Sequence, residues 1–369
     1  MRSLVDLVEK SSHDFSICNA CRYCEGYCAV FPAAELRTSF TTGDIVYLAN
    51  LCHDCRACYQ ACMYAPPHEF DVNIPKVLNE VRAATYASYA WPQRAAAAFR
   101  HGLQTTMVMA GVGLLLAVLA VWMTGNWGRL FDLHTAPGSF YEVVPYIVMI
   151  LSGSLVSAFV VAVLYGGLLR FWRQAGGSWR EFARPGTWLG ATVDALKLRY
   201  LDGGGPGCYY PERDRPANAR RIFHSLVFYG FAAAFISTVL AAIWQDFLGE
   251  LPPYPVLSAP VLFGMAGGVG MIVGCTGLLY LKTRVDRALG TDTMRAMDIA
   301  FLFVLDLASL TGMLTLALRG TRLMGMMLVL HLAVLVALYA TFPYGKFVHA
   351  VYRFAGLLLH RAEQSRETA

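Results

Sequence analysis

Residues 18–28, CNACRYCEGYC, and residues 52–62, CHDCRACYQAC, share one spacing, C-x2-C-x2-C-x3-C. Together they hold eight of the ten cysteines in a chain of 369 residues. The N-terminal MRSLVDLVEKSSHDF has no unbroken apolar core and no small-residue cleavage site, so it does not read as a secretory leader. Cysteines kept on the reducing side of a membrane at fixed spacing point to metal or catalysis rather than to disulfides.

Zinc is the plainest metal to consider. It usually takes two well-separated C-x2-C pairs that converge on one tetrahedral ion. Four cysteines within one short run instead match the pattern in which three thiolates hold one [4Fe–4S] cluster and the fourth reaches across to the other. That pattern assigns Cys18, Cys21, Cys24 and Cys62 to a first cluster, and Cys52, Cys55, Cys58 and Cys28 to a second. Cross-ligation of this kind ties the two motifs into one unit. The prolines stand at Pro32 and Pro66 rather than directly after each fourth cysteine. Between the motifs, ELRTSFTTGDIVYLANL reads as a turn at 41–43 and then a helix; after them, IPKVLNEVRAATY reads as a helix with Pro75 in its first turn. An α-helical dicluster head is therefore expected, not a small β-containing one. Cys208 and Cys275 have no partner spacing and read as thiols without a role.

Outward from the head the composition changes. The chain is 56% hydrophobic and 15% charged, against about 25% charged in soluble domains. Runs of about 20 apolar residues cross a bilayer, and six occur, near 105–124, 143–169, 222–244, 256–281, 299–318 and 323–342. The expected organisation is all-α: a ferredoxin-like head at 1–100, a six-helix transmembrane cytochrome b-like bundle at 101–360, and a short polar tail at 361–369. The loop at 170–221 carries ten Arg and Lys residues, Arg213 among them, whereas 245–255 carries none. The positive-inside rule puts the head and both termini in the cytoplasm, in the cell inner membrane. The net charge of +5 is accounted for by this topology and by lipid headgroups, with no case for nucleic acid.

The histidines divide. His13 and His134 read as surface residues, and His53 and His68 as groups that hydrogen-bond near a cluster. Ionisable groups in or beside spans are costly and point to function. His224 and His349 fall at the same, cytoplasmic depth and are the expected axial pair of one haem b rather than two, with His101 as substitute ligand. Hydrogen bonding in the interface is the alternative use of these rings. Arg220, Arg221, Lys346 and Arg353 flank the pair, either as propionate partners or as the positive boundary. His331 and His349 are 18 residues apart, hence on one face but about 27 Å apart along an unbroken helix, so they cannot share a haem. A second haem at His331 lacks a partner, since the matching position on the third span is Ala234. Asp306, inside the fifth span, and His331 are candidate proton groups at a quinone site; a neutral, helix-bonded Asp306 is the other reading. The glycines of GMAGGVGMIVG suit close helix packing and lack the context of a nucleotide loop. No Rossmann fingerprint, P-loop or flavin domain is evident, so the chain has no substrate dehydrogenase site of its own.

The two cysteine motifs, six spans and the terminal FPYGKFVHAVYR at 342–353 resemble the CitB/TcuB family, the tricarballylate utilization protein B group. The membrane half is also similar to the cytochrome b subunits of respiratory nitrate reductase through the His331/His349 spacing. That second family carries two haems, and Ala234 departs from its pattern. The CitB/TcuB resemblance implies a partner, an FAD-dependent dehydrogenase that oxidises tricarballylate to cis-aconitate. It implies electron transfer from FADH2 through the two [4Fe–4S] clusters and haem b to membrane quinone. An electron-transfer subunit of a heterodisulfide or thiol–disulfide system, and a membrane redox sensor, are the competing classes.

Overall fold

The computed structural model describes residues 3–205, 207–211 and 215–367; Arg213, with residues 1–2 and 368–369, lies outside them. Among the described residues there are α-helices and short 3-10 turns and no strands. In chain order the α-helices are α1 (Leu4–Cys21), α2 (Val30–Glu35), α3 (Thr42–Leu51), α4 (Ala57–Gln60), α5 (Ile74–Tyr89), α6 (Gly102–Met123), α7 (Tyr146–Gln174), α8 (Trp179–Phe182), α9 (Pro185–Leu196), α10 (Ala219–Leu248), α11 (Ala259–Arg284), α12 (Asp292–Ala317), α13 (Met324–Thr341) and α14 (Val348–Glu367).

The head helices start where their caps dictate. Thr41 caps α3, with Asp44 bonding back to close a capping box, and Asn73 caps α5 ahead of Pro75 in its first turn. Ile45, Leu48, Leu51, Leu78, Val81 and Tyr86 are fully or almost fully buried and form the head core. α14 belongs to that core: Val348, Tyr352, Ala355 and Leu358 are buried in the same cluster. Its far end is held by Glu363, which accepts from Arg37 and from the Tyr47 hydroxyl at 2.6 and 2.7 Å. The expected polar tail at 361–369 is thus, as far as Glu367, the last part of a packed helix. The apolar stripe of α14 finds its partner surface on α3 and α9, which sequence distance concealed.

Helices α6, α7, α10, α11 and α12, together with α13 and its 3-10 extension through Tyr344, are long and apolar enough to cross a membrane. α10 packs on α11, α11 on α12, α12 on α13, and α13 on α6 and α7. The glycine run lies at the α10–α11 seam. A Cβ on Gly267 would sit 2.7 Å from the Ala234 nitrogen, and one on Gly274 2.7 Å from the Phe223 carbonyl oxygen. Small residues here let two backbones touch.

His331 and His349 do not lie on one helix. α13 ends at Thr341, residues Phe342–Tyr344 form a 3-10 turn, and α14 starts only at Val348. Pro343 cannot continue the hydrogen-bond ladder, and Gly345 is extended, so the chain turns out of the membrane into the head.

Candidate functional site: two thiol cavities and a buried histidine group

The two cysteine motifs fold alike. Cys21 is followed by Arg22 at φ 56°, and Cys55 by Arg56 at φ 66°, both left-handed. A non-glycine residue in that region is unfavourable by about 1–2 kcal/mol, and here the turn at each site re-aims the chain between successive cysteines. Identical arginines at identical register in the two motifs were a visible sequence repeat whose conformational meaning the spacing alone did not convey.

Cys18, Cys21, Cys24, Cys58 and Cys62 line one cavity. Cys28, Cys52, Cys55 and Cys58 line a second. Each motif therefore contributes its fourth cysteine to the neighbourhood of the other. Among the described residues, no group of three or more His, Cys, Asp and Glu side chains is arranged around a single metal ion. A tetrahedral zinc needs its thiolates about 2.3 Å from one point, whereas a cluster holds them spread around several irons. Burial pushes the Cys24 and Cys55 thiols up to about 12. Such thiols keep their protons until a metal displaces them. The donor set and the cavities fit iron–sulfur clusters.

The second cavity is the more enclosed. Cys52 and Cys55 are buried, and the Asp54 amide donates to Cys52 Sγ at 3.4 Å. Three guanidinium groups hold its loop. Arg82 and Arg353 donate to the Cys52 carbonyl at 2.6 and 2.5 Å, and Arg220 to the carbonyls of His53 and Asp54 at 2.6 and 2.8 Å. The glycine-rich segment after α9 closes over the same region: Gly204, at φ +53°, leaves no room for a Cβ beside the Tyr27 carbonyl, and the Tyr209 amide donates to Cys55 O at 2.9 Å. Cys208 is buried among these residues, a thiol beside the second cavity.

Against that loop lies a group of three half-buried imidazoles: His53, His224 and His349. His224 bears electrostatically on both of the others. Burial first, then the charges of Arg353 and Arg220, hold His53 well below the usual histidine range; burial, then Lys346 and Arg353, does the same to His349. Both are neutral at pH 7, the form that ligates metals. Nδ1 of His349 donates to the Lys346 carbonyl at 2.7 Å and Nδ1 of His53 to the Leu51 carbonyl at 2.9 Å. A carbonyl only accepts, so the proton is on Nδ1 and each Nε2 is bare. Nδ1 of His224 is buried without a partner. One imidazole from α10 and one from α14 are a donor set that fits a b-type haem. His53 has the same arrangement as His349; its signal in the sequence was its place between Cys52 and Cys55.

The other candidates are placed elsewhere. His101 is exposed at the start of α6. Arg220 and Arg353 hold the Cys52–Asp54 loop, Arg221 pairs with Asp202 at 3.3 Å, and Lys346 shares Asp298 with Lys282, at 2.7 Å from its own nitrogen. Asp306 accepts from the Thr276 hydroxyl at 3.1 Å, outside the cavity that His331 lines. His134, expected at the surface, is fully buried and bonds the Arg129 carbonyl at 2.8 Å. His68 is near the surface and accepts from the Phe70 amide at 3.1 Å.

The comparisons with known proteins bear on this geometry. Residues 98–369 match the family model for citrate utilization protein B, and residues 11–88 match its Fer4-like domain. The chain belongs to the citrate utilization protein B family. It is 43% identical over 353 residues to the Escherichia coli protein named citrate utilization protein B, covering 95% of this chain and 91% of that one. No solved structure matches. A Fer4-like domain over the cysteine motifs and six apolar helices behind it make this a multi-pass membrane member of a family consistent with electron transfer.

Proposed function

We propose that the protein is an electron relay of the cell inner membrane, with its head in the cytoplasm, that carries electrons from a reduced FAD-dependent dehydrogenase to membrane quinone. The observation that carries the reading is the adjacency of the second thiol cavity, which His53 lines, to the half-buried His224 and His349. The family name points upstream to a tricarboxylate of the citrate and tricarballylate class, so a tricarballylate dehydrogenase-like flavoprotein is the donor.

Cys18, Cys21, Cys24 and Cys62 would hold one [4Fe–4S] cluster, Cys28, Cys52, Cys55 and Cys58 the other, and His224 with His349 one haem b. When bound, these groups supply one-electron steps, which a two-electron flavin needs in order to be emptied into a membrane carrier. The chain's own residues set the direction. Tyr23 and Met63, 62% and 66% exposed, leave the first cavity beside open surface where a donor can dock. Arg82, Arg220 and Arg353 place positive charge at the second, which favours the reduced, more negative state there. The Lys346 carbonyl orients His349.

The test is anaerobic purification with iron, sulfide and haem assays, then mixing with a reduced flavoprotein donor and decylubiquinone. About eight non-haem irons, from two four-iron clusters, and one haem per chain are expected, with quinone reduction that depends on the chain. Fewer than six irons in intact protein, or a reduced head that passes nothing to quinone, would overturn the reading.

A further inference from the structure

A partly open cavity lies between α10, α11, α12 and α13. His331 lines it seven residues into α13 from Met324, about 10 Å from that end of the helix. Ala234 lines the wall contributed by α10, and Phe235, 58% exposed, stands at a lipid-facing edge. The cavity therefore opens sideways into the bilayer.

Apart from the Tyr339 hydroxyl, the side-chain polar atoms of this cavity are committed with one exception. Ser237 donates to the Pro260 carbonyl at 2.6 Å, Thr238 to Ala234 at 3.1 Å, Ser309 to Leu305 at 2.8 Å and Tyr254 to Ala241 at 3.0 Å. The exception is His331. Thr311 gives its own proton to the Leu307 carbonyl at 2.8 Å, so its oxygen accepts from His331 Nδ1 at 3.0 Å. That leaves Nε2 bare, able to accept a hydrogen bond. Gly312 makes the room for the ring: a Cβ there would meet His331 Cε1 at 3.0 Å.

We propose that this cavity is the quinone site, with His331 Nε2 accepting a hydrogen bond from a hydroxyl of the bound quinol. The inference rests on the relay reading and gives it a place. A lipid-soluble ring that enters sideways, fills an apolar cavity and presents one hydroxyl to one bare nitrogen is what the cavity suits. Reduction takes two electrons from the reduced flavoprotein, delivered through the chain, and two protons from the aqueous phase. Both carbonyls become hydroxyls, and one of these is the donor to Nε2. The site therefore holds quinol more tightly than quinone, which draws electrons forward. Met265, Met271 and Met313 also line the cavity, so a His–Met haem is the competing occupant.

The test uses the full chain in lipid nanodiscs and an azidoquinone photolabel, mapped by mass spectrometry. The label should fall on residues 231–241, 260–271, 305–316 or 331–339 and be displaced by excess decylubiquinol. His331→Leu should weaken decylubiquinol binding at least tenfold with iron and haem content unchanged, and Leu335→Trp, which fills the cavity from one turn further along α13, should block labelling. Label on other segments of the wild-type chain overturns the proposal whether or not the variants fold. Loss of one haem per chain in His331→Leu also overturns it, in favour of the haem. Label in the cavity of a protein that cannot pass electrons from flavoprotein to quinone supports the site and counts against the relay alone.

Discussion

The carbonyl of Lys346 accepts the Nδ1 proton of His349 at 2.7 Å, while the side chain of the same lysine lies 2.7 Å from Asp298 of α12. One residue of the FPYGKFVH segment thus aims an imidazole with its backbone and anchors the turn to the membrane bundle with its ammonium. The two functions separate under mutation.

Lys346→Met keeps the carbonyl and removes the anchor. Breaking a buried pair by removing one partner typically loses about 3–5 kcal/mol, and Lys282 on the same carboxylate moderates the loss. The expected variant is less stable in thermal melts and still binds haem. His349→Ala should instead lose haem by pyridine haemochrome assay, with both clusters retained. Full haem in His349→Ala would remove it from the ligand set, and His53, whose Nε2 is equally bare, would be the ring to test next.

Arg220 of α10 and Arg353 of α14 reach to the carbonyls of residues 52–54. Arg220→Met deletes two hydrogen bonds and a positive charge beside the second cavity only. The midpoint potential of one cluster should become more negative, and the other should stay put, in a potentiometric EPR titration. Equal shifts in both, or none, would mean the arginine serves only to dock the head.

Cys62 lines the first cavity although it belongs to the second motif, and Cys28 lines the second although it belongs to the first. Cys62→Ser and Cys28→Ser should therefore perturb different clusters, each the one held mainly by the other motif. EPR of the reduced variants distinguishes them; the same altered signal from both substitutions counts against cross-ligation.

His360 of α14 is buried, with no partner for Nδ1. Burial, and then Arg361, lowers its pKa from 6.5 to about 4 despite the opposing pull of Asp194. The folded state thus binds its proton more weakly than the unfolded chain does. Stability is full above about 6.5 and falls as pH drops toward 4, by on the order of 3 kcal/mol. Denaturant melts between pH 7 and 4 should show that slope, and His360→Leu should flatten it. An unchanged slope would place the acid sensitivity elsewhere, for example at Asp44. Burial alone would raise that carboxyl, but the bonds from Thr41 and Arg37 hold it below its usual range.

The amino-acid sequence alone determined the iron chemistry and the membrane. Spacing within eleven residues constrains thiols locally, and a run of twenty apolar side chains has few fates other than a bilayer, so both are written in short windows. It also marked His224 and His349, because ionisable groups at a span boundary stand out. Tertiary structure decided the rest. That α14 completes the head core, that Arg220 and Arg353 hold the Cys52–Asp54 loop, that His53 joins the two histidines, and that Asp306 and His331 face different spaces all depend on contacts between residues tens to hundreds of positions apart. Such contacts follow from which helix faces pack together, and a period of 3.6 residues names a face without naming its partner.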